Sequence, residues 1–367
     1  MYSWTPTNEE RIKVASLTCP EPPQVRNILR GLGSKSLISI DSYSNMAAYT
    51  DEWVTGPSDT KFFTRTQAPA EIKGAVVFVH GFIEHLGRYD FVREALVSKG
   101  FAVLFYDQRG FGQTALDKAR RSVGSAYGKN TRAEMLDDVQ FMLNHAREKF
   151  KTKNLFLYGH SMGGAIVLQY CCVGNDDLNV KCDLRGVVAT SPLLRQAVSA
   201  PAWQLVMGHM AQNLTPWMSV PAKVNAADLC HDDSVGKAYL ADPLVIQQGT
   251  LRGVDTMLRG GAETAEKHYL HWPESLPVFL FHGTEDKVTS AKATHKFHDD
   301  IKAKDKHLQM IEGGFHELHN EPEFKVKLLE DITAWFLAHL SQQSETTAAP
   351  PEASTSAAPE EAAASKL

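Results

Sequence analysis

Short apolar runs alternate with helical patterns along most of this chain, and that alternation restricts the fold more than any other feature. The strand-like runs are KFFTRTQ, GAVVFVHGF, FAVLFYD, NLFLYG, LRGVVATS, LPVFLFHG and HLQMIEG. Helical patterns occupy RYDFVREALVSKG, RAEMLDDVQFMLNHAREKF, GGAIVLQYCC and KVKLLEDITAWFLAHL. Such alternation is typical of an α/β fold. We therefore predict a mostly parallel central sheet with helices on both faces.

Changes in composition divide the chain into a core and three additions. Residues 1–50 show no sustained period, and we interpret them as an amino-terminal extension. The alternating pattern fills residues 51–191 and 264–341, the predicted core. Between them, residues 192–263 replace strand-like runs with Trp, Met, Pro and polar residues, which indicates an insertion. Residues 342–367 have almost no large apolar side chains, so we expect a disordered tail.

Charge and cysteine usage exclude several classes of function. The 367 residues carry a net charge of -5 and no block of Lys and Arg, so we expect no nucleic-acid partner. The five cysteines are an odd number without metal-ligand spacing, which favours a reducing compartment and predicts no metal site. No signal-peptide pattern is present, and no apolar run approaches the length of a membrane span.

The stretch LFLYGHSMGGAIVLQ contains a candidate nucleophile. An apolar strand leads into Gly159-His160-Ser161-Met162-Gly163, and a helix follows. In that context G-x-S-x-G predicts a sharp turn that holds the serine hydroxyl out at the sheet edge. Gly159 and Gly163 are expected there because side chains at these positions would collide with neighbouring elements. We predict that Ser161 is the nucleophile and that His160 is a packing residue.

A serine nucleophile needs a base and a carboxylate that orients the base. Asp286 lies in TEDKV after one predicted strand, and His316 lies in GFHELHNE after another. Carboxyl ends of parallel strands meet at one sheet edge, and the order Ser, Asp, His suits this fold. Spacing alone does not choose Asp286 over Glu285, or His316 over His319. We choose His316 because it follows a Gly-Gly-Phe turn, whereas His319 is expected to enter the next helix.

Acyl transfer also needs donors for the oxyanion of the tetrahedral intermediate. The strand that ends in Val79 and His80 leads into a glycine turn at Gly81. We predict that the backbone N–H groups of Phe82 and Met162 form the oxyanion hole. The sequence HELH does not match the H-E-x-x-H zinc motif. This set of residues needs neither a metal nor an organic cofactor.

The insertion contains large apolar residues at helical spacing. Their intervals of 4, 3, 4 and 3 place them on one helix face, and they are Trp203, Met207, Met210, Leu214 and Trp217. This face could cover an acyl channel or dock on a lipid surface, which predicts substrate contact and peripheral membrane contact through the insertion. The alternative is ordinary packing on the core.

The last three residues match a targeting signal. Ser365, Lys366 and Leu367 form the peroxisomal tripeptide at the end of the predicted tail. The expected partner is therefore a peroxisomal import receptor, and the expected location is the peroxisome. Without import, we expect a cytoplasmic protein.

Several motifs together resemble the monoacylglycerol lipases of the α/β-hydrolase fold. They are VFVHGFIEHLGRYDFV, YDQRGFGQT, GHSMGG, DPL, FHGTEDKV and EGGFHELHNE, and the resemblance runs from about Asp51 to Leu340. It implies the same roles for Ser161, Asp286, His316, Phe82 and Met162, and a cap from about Pro192 to Glu263. The long amino-terminal extension, Leu86 in EHLGRY and the peroxisomal ending depart from the usual family pattern.

These observations lead us to expect a serine hydrolase that cleaves medium- or long-chain monoacylglycerols through an acyl-enzyme. Its partner is then a lipid ester substrate. One alternative keeps the chemistry and changes the substrate, as in a peroxisomal acyl-CoA thioesterase or another carboxylesterase. Another alternative, from a different class, is a ligand receptor that retains the fold without useful turnover.

Overall fold

A computed structural model describes residues 48–173, 183–198 and 201–346. The strands in these ranges are β1 (Thr50–Thr55), β2 (Lys61–Gln67), β3 (Gly74–Val79), β4 (Phe101–Tyr106), β5 (Leu155–His160), β6 (Leu184–Thr190), β7 (Ser219–Pro221), β8 (Gln248–Thr250), β9 (Val278–Gly283) and β10 (Lys306–Ile311). The helices are α1 (Asp90–Ser98), α2 (Gly112–Leu116), α3 (Arg132–Phe150), α4 (Met162–Val173), α5 (Ala202–Leu214), α6 (Asp233–Ala241), α7 (Leu251–Glu266), α8 (Ala291–Asp300) and α9 (Lys325–Thr346).

Eight strands form one sheet in the order β1-β2-β4-β3-β5-β6-β9-β10. β2 runs antiparallel to both β1 and β4. The five remaining pairs of neighbours, from β4 and β3 to β9 and β10, are parallel. The predicted mostly parallel sheet is confirmed, and every run assigned to a strand contains one. The sequence patterns did not single out β1 or α8.

Alternating side chains of the central strands pack on opposite faces of the sheet. On β3, Val77 and Val79 belong to the core under α3, α4 and α8. Val76 and Phe78 belong to the core under α1 and α9. Because successive side chains of a strand point to opposite faces, both faces must be covered when all of them are apolar. This is why the central strands are continuous apolar runs.

Local sequence signals set both ends of α3, the longest described helix on the face of the sheet that α4 covers. The Thr131 hydroxyl accepts a hydrogen bond from the Glu134 N–H and donates one to the Glu134 carboxylate, at 2.7 Å. The Thr131 side chain is thus an N-cap, which satisfies one of the backbone donors that the first turn leaves free. The helix ends where Lys151 adopts a left-handed conformation, with φ of 51°. Its bounds, Arg132–Phe150, match the predicted segment.

The described part of the predicted insertion contains three α-helices and a small sheet. α5, α6 and α7 lie between β6 and β9, and β7 pairs antiparallel with β8. These two short strands have no counterpart in the sequence patterns. The predicted boundary at residue 263 falls inside α7, which continues to Glu266 and packs against both α4 and α5. We refer to residues 192–266 as the cap.

The two predicted terminal segments lie almost entirely outside the described residues. Only residues 48–50 of the predicted extension are described, and Thr50 begins β1. At the other end α9 continues to Thr346, past the predicted start of the tail at residue 342. Ser365, Lys366 and Leu367 lie outside the described part. Among the described helices, none combines the length and apolar character needed to cross a membrane.

Candidate active site

Ser161 occupies the turn between β5 and α4. Its φ is 54°, a left-handed conformation that non-glycine residues rarely adopt. The Ser161 N–H donates to Thr190 O at 3.0 Å, and Ser161 O accepts from both Ala165 and Leu193. These hydrogen bonds hold the strained residue between β6, α4 and the start of the cap. The side chain is consequently fixed at the carboxyl end of the parallel strands.

The glycines on either side of the turn make this conformation sterically possible. A Cβ atom on Gly159 would lie 2.4 Å from Gly163 O, and one on Gly163 would lie 2.0 Å from Val79 O. Both obstacles are backbone atoms of the packed sheet and helix, which cannot move aside easily. The two positions therefore require glycine for steric reasons.

The structure brings Ser161, His316 and Asp286 together in one hydrogen-bonded chain. His316 Nε2 lies 3.0 Å from Ser161 Oγ, and His316 Nδ1 lies 2.8 Å from Asp286 Oδ2. All three residues are buried. The Asp286 carboxylate also accepts from the N–H groups of Val288 and Thr289 through Oδ1, at 2.7 and 2.9 Å. This is the arrangement of a nucleophile, its base and the group that orients the base.

The electrostatics of the pair keep Asp286 ionised. Burial opposes ionisation, but His316 and the hydrogen bond from His282 outweigh it, so the pKa of Asp286 lies well below its usual range. For His316, burial alone would lower the pKa, but the charge of Asp286 and its hydrogen bond raise it above the usual value. Asp286 therefore favours the imidazolium that forms when His316 takes a proton.

The structure also decides between the neighbouring candidates. Glu285 is exposed, whereas Asp286 is buried against His316. His319 is buried with its ring centroid 4.8 Å from that of His160, and it lies in a turn before α9 rather than in the helix, so His316 is the imidazole that contacts Ser161 Oγ. His160 lies 4.8 Å from His316, centroid to centroid, and its Nδ1 contacts the Thr190 hydroxyl. His160 thus packs behind the catalytic histidine.

The loop that follows β3 passes directly against the nucleophile. A Cβ atom on Gly81 would lie 3.3 Å from Ser161 Cβ, and Phe82, the next residue of the loop, lines the same cavity as Ser161. His80 braces this loop, because its Nδ1 lies 2.8 Å from Gly81 O and its Nε2 accepts from Gln108 N–H at 2.9 Å. Burial lowers the pKa of His80 to about 3, which keeps the ring neutral.

The second predicted oxyanion donor begins a helix. Met162 is the first residue of α4, where N–H groups have no carbonyl partner within the helix. Its position directly after Ser161 and the closeness of the Phe82 loop fit an oxyanion hole. Ile83, the next residue of that loop, has φ of 51°, which is rare for a β-branched side chain. Nothing in the sequence signalled this strain.

Two residues that the sequence did not single out hold the His316 loop. Glu321 is buried, and its carboxylate accepts from the Phe315 N–H at 3.0 Å. The Ser191 hydroxyl donates to His316 O at 2.8 Å. His231 of the cap also contacts Glu321, at 2.9 Å. The Ser191 and His231 contacts join residues far apart along the chain and leave no local signal, and no pattern marks the turn that brings Glu321 to Phe315.

Ser161 and His316 line a cavity of about 430 Å³ under the cap. Its apolar lining includes Leu193, Leu229, Val254, Met257, Leu258 and Val288. A second, largely apolar cavity of about 380 Å³ lies between α5 and α7. The two cavities share Leu193, Gln196, Val254 and Leu258, so they adjoin.

The predicted apolar face of the cap points elsewhere. None of its five side chains lines either cavity, and all are exposed: Trp203, Met207, Met210, Leu214 and Trp217. The prediction that these side chains contact an acyl chain within the channel is therefore wrong. The alternative, that they pack on the core, is also wrong. The helix α5 ends at Leu214, so Trp217 lies beyond it and only the first four residues share a helical face. Helical spacing predicts which residues share a face, but the direction of that face depends on how α5 packs on α7.

A buried polar cluster borders the Ser161 cavity at another side. Arg88 lies 2.8 Å from the Glu317 carboxylate and 3.3 Å from that of Glu84, which itself lines the cavity. Tyr89 donates a short hydrogen bond to Glu84. Burial raises the pKa of Glu84 despite Arg88, because one guanidinium cannot neutralise two carboxylates. The cavity therefore has a polar part as well as an apolar one.

Comparison with known proteins agrees with this fold. The family model described as "Serine aminopeptidase, S33" matches residues 70–323, more than half of the chain. The chain belongs to this family. A structure of a soluble variant of monoglyceride lipase from Saccharomyces cerevisiae superposes with a TM-score of 0.70 at 22% identity, covering 80% of this chain and 96% of that one. That likeness shows the α/β-hydrolase fold.

Relatives of this chain confirm the resemblance to monoacylglycerol lipases. The chain is 27% identical over 268 residues to the monoacylglycerol lipase of Mycolicibacterium smegmatis, covering 73% of this chain and 89% of the relative. It is 31% identical over 280 residues to a Schizosaccharomyces pombe protein whose monoglyceride lipase name is provisional, covering 76% and 70%. The predicted hydrolase class is therefore confirmed.

Proposed function

We propose that this chain hydrolyses the ester bond of medium- or long-chain monoacylglycerols to fatty acid and glycerol. The observation that carries the proposal is the hydrogen-bonded chain from Ser161 through His316 to Asp286, set in a cavity with an apolar and a polar part. Relatives named monoacylglycerol lipases support the same substrate class. No step of the mechanism needs a cofactor.

The reaction follows from the roles that the geometry allows. Ser161 Oγ attacks the acyl carbonyl while His316 Nε2 takes its proton, and the N–H groups of Phe82 and Met162 stabilise the oxyanion. His316 then protonates the departing glycerol oxygen, which leaves an acyl-enzyme on Ser161. Water, deprotonated by His316, attacks this ester and releases the fatty acid. Asp286 holds the imidazole in position and stabilises its charged form.

The two parts of the cavity suit the two ends of a monoacylglycerol. The apolar side chains of Leu193, Val254 and Leu258 face both cavities, so an acyl chain can continue from the first into the second. Glu84 and Tyr239 line the Ser161 cavity and offer polar groups to the glycerol hydroxyls. The substrate is therefore expected to lie with its ester between these regions, next to Ser161.

The test is fatty-acid release from monoacylglycerols of increasing chain length by the purified protein. Ser161→Ala serves as the blank, and Ser98→Ala, an exposed serine on α1, is the matched control. We expect turnover that peaks at one range of chain lengths, falls at least about 10³-fold in Ser161→Ala and is unchanged in Ser98→Ala. An equal rate in Ser161→Ala and the unmodified protein contradicts the proposal.

A thioester substrate is a second candidate because of two lysines at the cavity. Lys223 and Lys287 both line it and are exposed, and within the described ranges neither forms an ion pair. Such cations could attract the phosphates of an acyl-CoA. Acyl-CoA hydrolysis that exceeds monoacylglycerol hydrolysis, and that drops in Lys223→Gln, favours this candidate. Tight lipid binding without turnover of either substrate favours a receptor.

We also propose that the cap contacts a lipid surface. Trp203, Met207 and Leu214 of α5 are exposed together, although large apolar side chains at helical spacing are normally buried. Substrates of this class reside in membranes or droplets, so an apolar face beside the cavity would bring the enzyme to them. The expected result is vesicle binding that weakens when apolar side chains of this face are replaced.

The carboxy-terminal tripeptide supports a proposed peroxisomal location. Ser365, Lys366 and Leu367 match the signal that the import receptor reads. A fluorescent fusion at the amino terminus is expected to colocalise with peroxisomes. Deletion of the three residues should move it to the cytosol without changing esterase activity. Persistence of the peroxisomal pattern after deletion argues against this role.

A further inference from the structure

Asp286 faces a second buried imidazole besides His316. His282, the residue before the end of β9, is fully buried, and its Nε2 lies 3.1 Å from Asp286 Oδ2. The same carboxylate oxygen lies 2.8 Å from His316 Nδ1. A histidine so placed has no part in the mechanism given above. Its contact is nevertheless with the group that orients the catalytic base.

The partners of His282 decide which nitrogen carries its proton. An ionised carboxylate can only accept, so Nε2 must be the donor towards Asp286. Nδ1 lies 2.8 Å from the hydroxyl of Thr294 on α8, which can donate to it. Thr289 offers Nε2 two further oxygens, its carbonyl at 3.3 Å and its hydroxyl at 3.2 Å. Asp286 is the nearest of these acceptors and the only charged one.

We propose that His282 is a positioning residue that acts on the reaction through Asp286. Its Nε2–H and the Thr289 hydroxyl, which donates at 2.7 Å, together hold Oδ2, while the N–H groups of Val288 and Thr289 hold Oδ1. The Thr294 hydroxyl in turn fixes the tautomer of His282. The hydrogen-bonded chain therefore runs from Thr294 through His282, Asp286 and His316 to Ser161. Without this donor the carboxylate loses one of the bonds that fix it for His316.

The inference rests on the proposed serine-hydrolase chemistry, and its test does not depend on the natural substrate. The readouts are kcat and KM on a short, soluble 4-nitrophenyl ester and the rate at which a fluorophosphonate labels Ser161. Both report the reactivity of the serine even if monoacylglycerols prove not to be substrates. Failure of the substrate assignment is thereby separated from failure of this proposal.

Three variants test the donor. His282→Leu fills the space without a hydrogen bond, His282→Gln can place an amide N–H near the Nε2 position, and His282→Asn is polar but too short. We expect Leu and Asn to lower kcat and the labelling rate about 10-fold or more, with KM within about twofold, and Gln to restore most of both rates. Thermal unfolding checks that each variant folds. If Leu does not fold, the comparison of Gln with Asn decides.

Two results would overturn the proposal. One is that a folded His282→Leu or His282→Asn variant keeps the rates of the unmodified protein. The other is that His282→Gln is as slow as the variants without a donor, since the histidine would then matter only for packing. A loss confined to KM has the same meaning, because orientation of the base acts on the chemical step.

Discussion

Replacing two exposed methionines of the cap should separate lipid binding from catalysis. The double variant Met207→Ser, Met210→Ser removes apolar side chains from the exposed face of α5. Met207 is 62% exposed and Met210 is 65% exposed, and neither lines a cavity. Because both already face solvent, the free energy of unfolding should change by less than about 0.5 kcal/mol for each substitution.

The expected loss of binding follows from that exposure. Complete burial of a methionine side chain is worth about 1.5–3 kcal/mol. With close to two thirds of each side chain still exposed, each methionine retains about 1–2 kcal/mol that a lipid surface could recover. Together they amount to at least about 2 kcal/mol, which corresponds to a roughly 30-fold weaker partition into vesicles.

The assay is co-sedimentation with vesicles that contain monoacylglycerol, accompanied by turnover of a short soluble ester. Val326→Ser on α9, where the side chain is 44% exposed, is the control outside the cap. We expect weaker vesicle binding only in the cap variant, and equal turnover of the soluble ester in all proteins. Unchanged vesicle binding of the cap variant would refute the reasoning, as would an equal loss in the control.

Two further predictions concern the active site and the fold. The pKa of His316 is raised above 6.5, and the imidazole must be neutral to act as a base. We therefore expect kcat/KM for a soluble ester to fall as the pH drops through a value above 6.5. A fall in kcat/KM centred below pH 6.5 would contradict the assignment of His316 and Asp286 as the catalytic base and its partner. Gly163→Ala should strongly lower the unfolding temperature, since its Cβ would meet Val79 O at 2.0 Å. Gly208→Ala on α5, with nothing within 4 Å of its Cβ, should instead gain about 0.5–1 kcal/mol in urea unfolding, and equal effects of the two changes would disprove the steric argument.

Sequence patterns predict the central sheet and the serine turn most clearly. The strands around β3 and β5 are continuous apolar runs because helices cover both faces, so they are visible without any knowledge of the fold. The turn at Gly159, Ser161 and Gly163 is equally easy to predict, since a sharp strand-to-helix turn requires these residue types. The sequence patterns did not predict β1, because β1 is an edge strand whose residues, TDEWVT, are mostly polar.

The direction of the apolar face of the cap is a property that local sequence patterns do not predict. The spacing from Trp203 to Trp217 predicts a shared apolar face, and it is silent on whether that face turns towards the cavity or the solvent. Packing of α5 on α7 decides the direction, and that packing joins segments about fifty residues apart. The cavity is instead lined by residues such as Val254 and Leu258 of α7, which no pattern had marked as substrate contacts.

The amino-acid sequence alone predicts most elements of the core, the class of fold and the residue types of the reaction, because each depends on neighbours along the chain. The choice of Asp286 over Glu285, the confirmation of His316 over His319 and the direction of the cap face required the folded structure. The folded structure also showed that His282 contacts Asp286, that Glu321 binds the Phe315 N–H and that Ser191 binds His316 O. The contacts of His316 with Asp286 and Ser191 join residues 30 and 125 positions apart, and such contacts leave no periodicity in the sequence. His282 and Glu321 are close in sequence to the residues that they hold, but the direction of their side chains depends on how the loops fold.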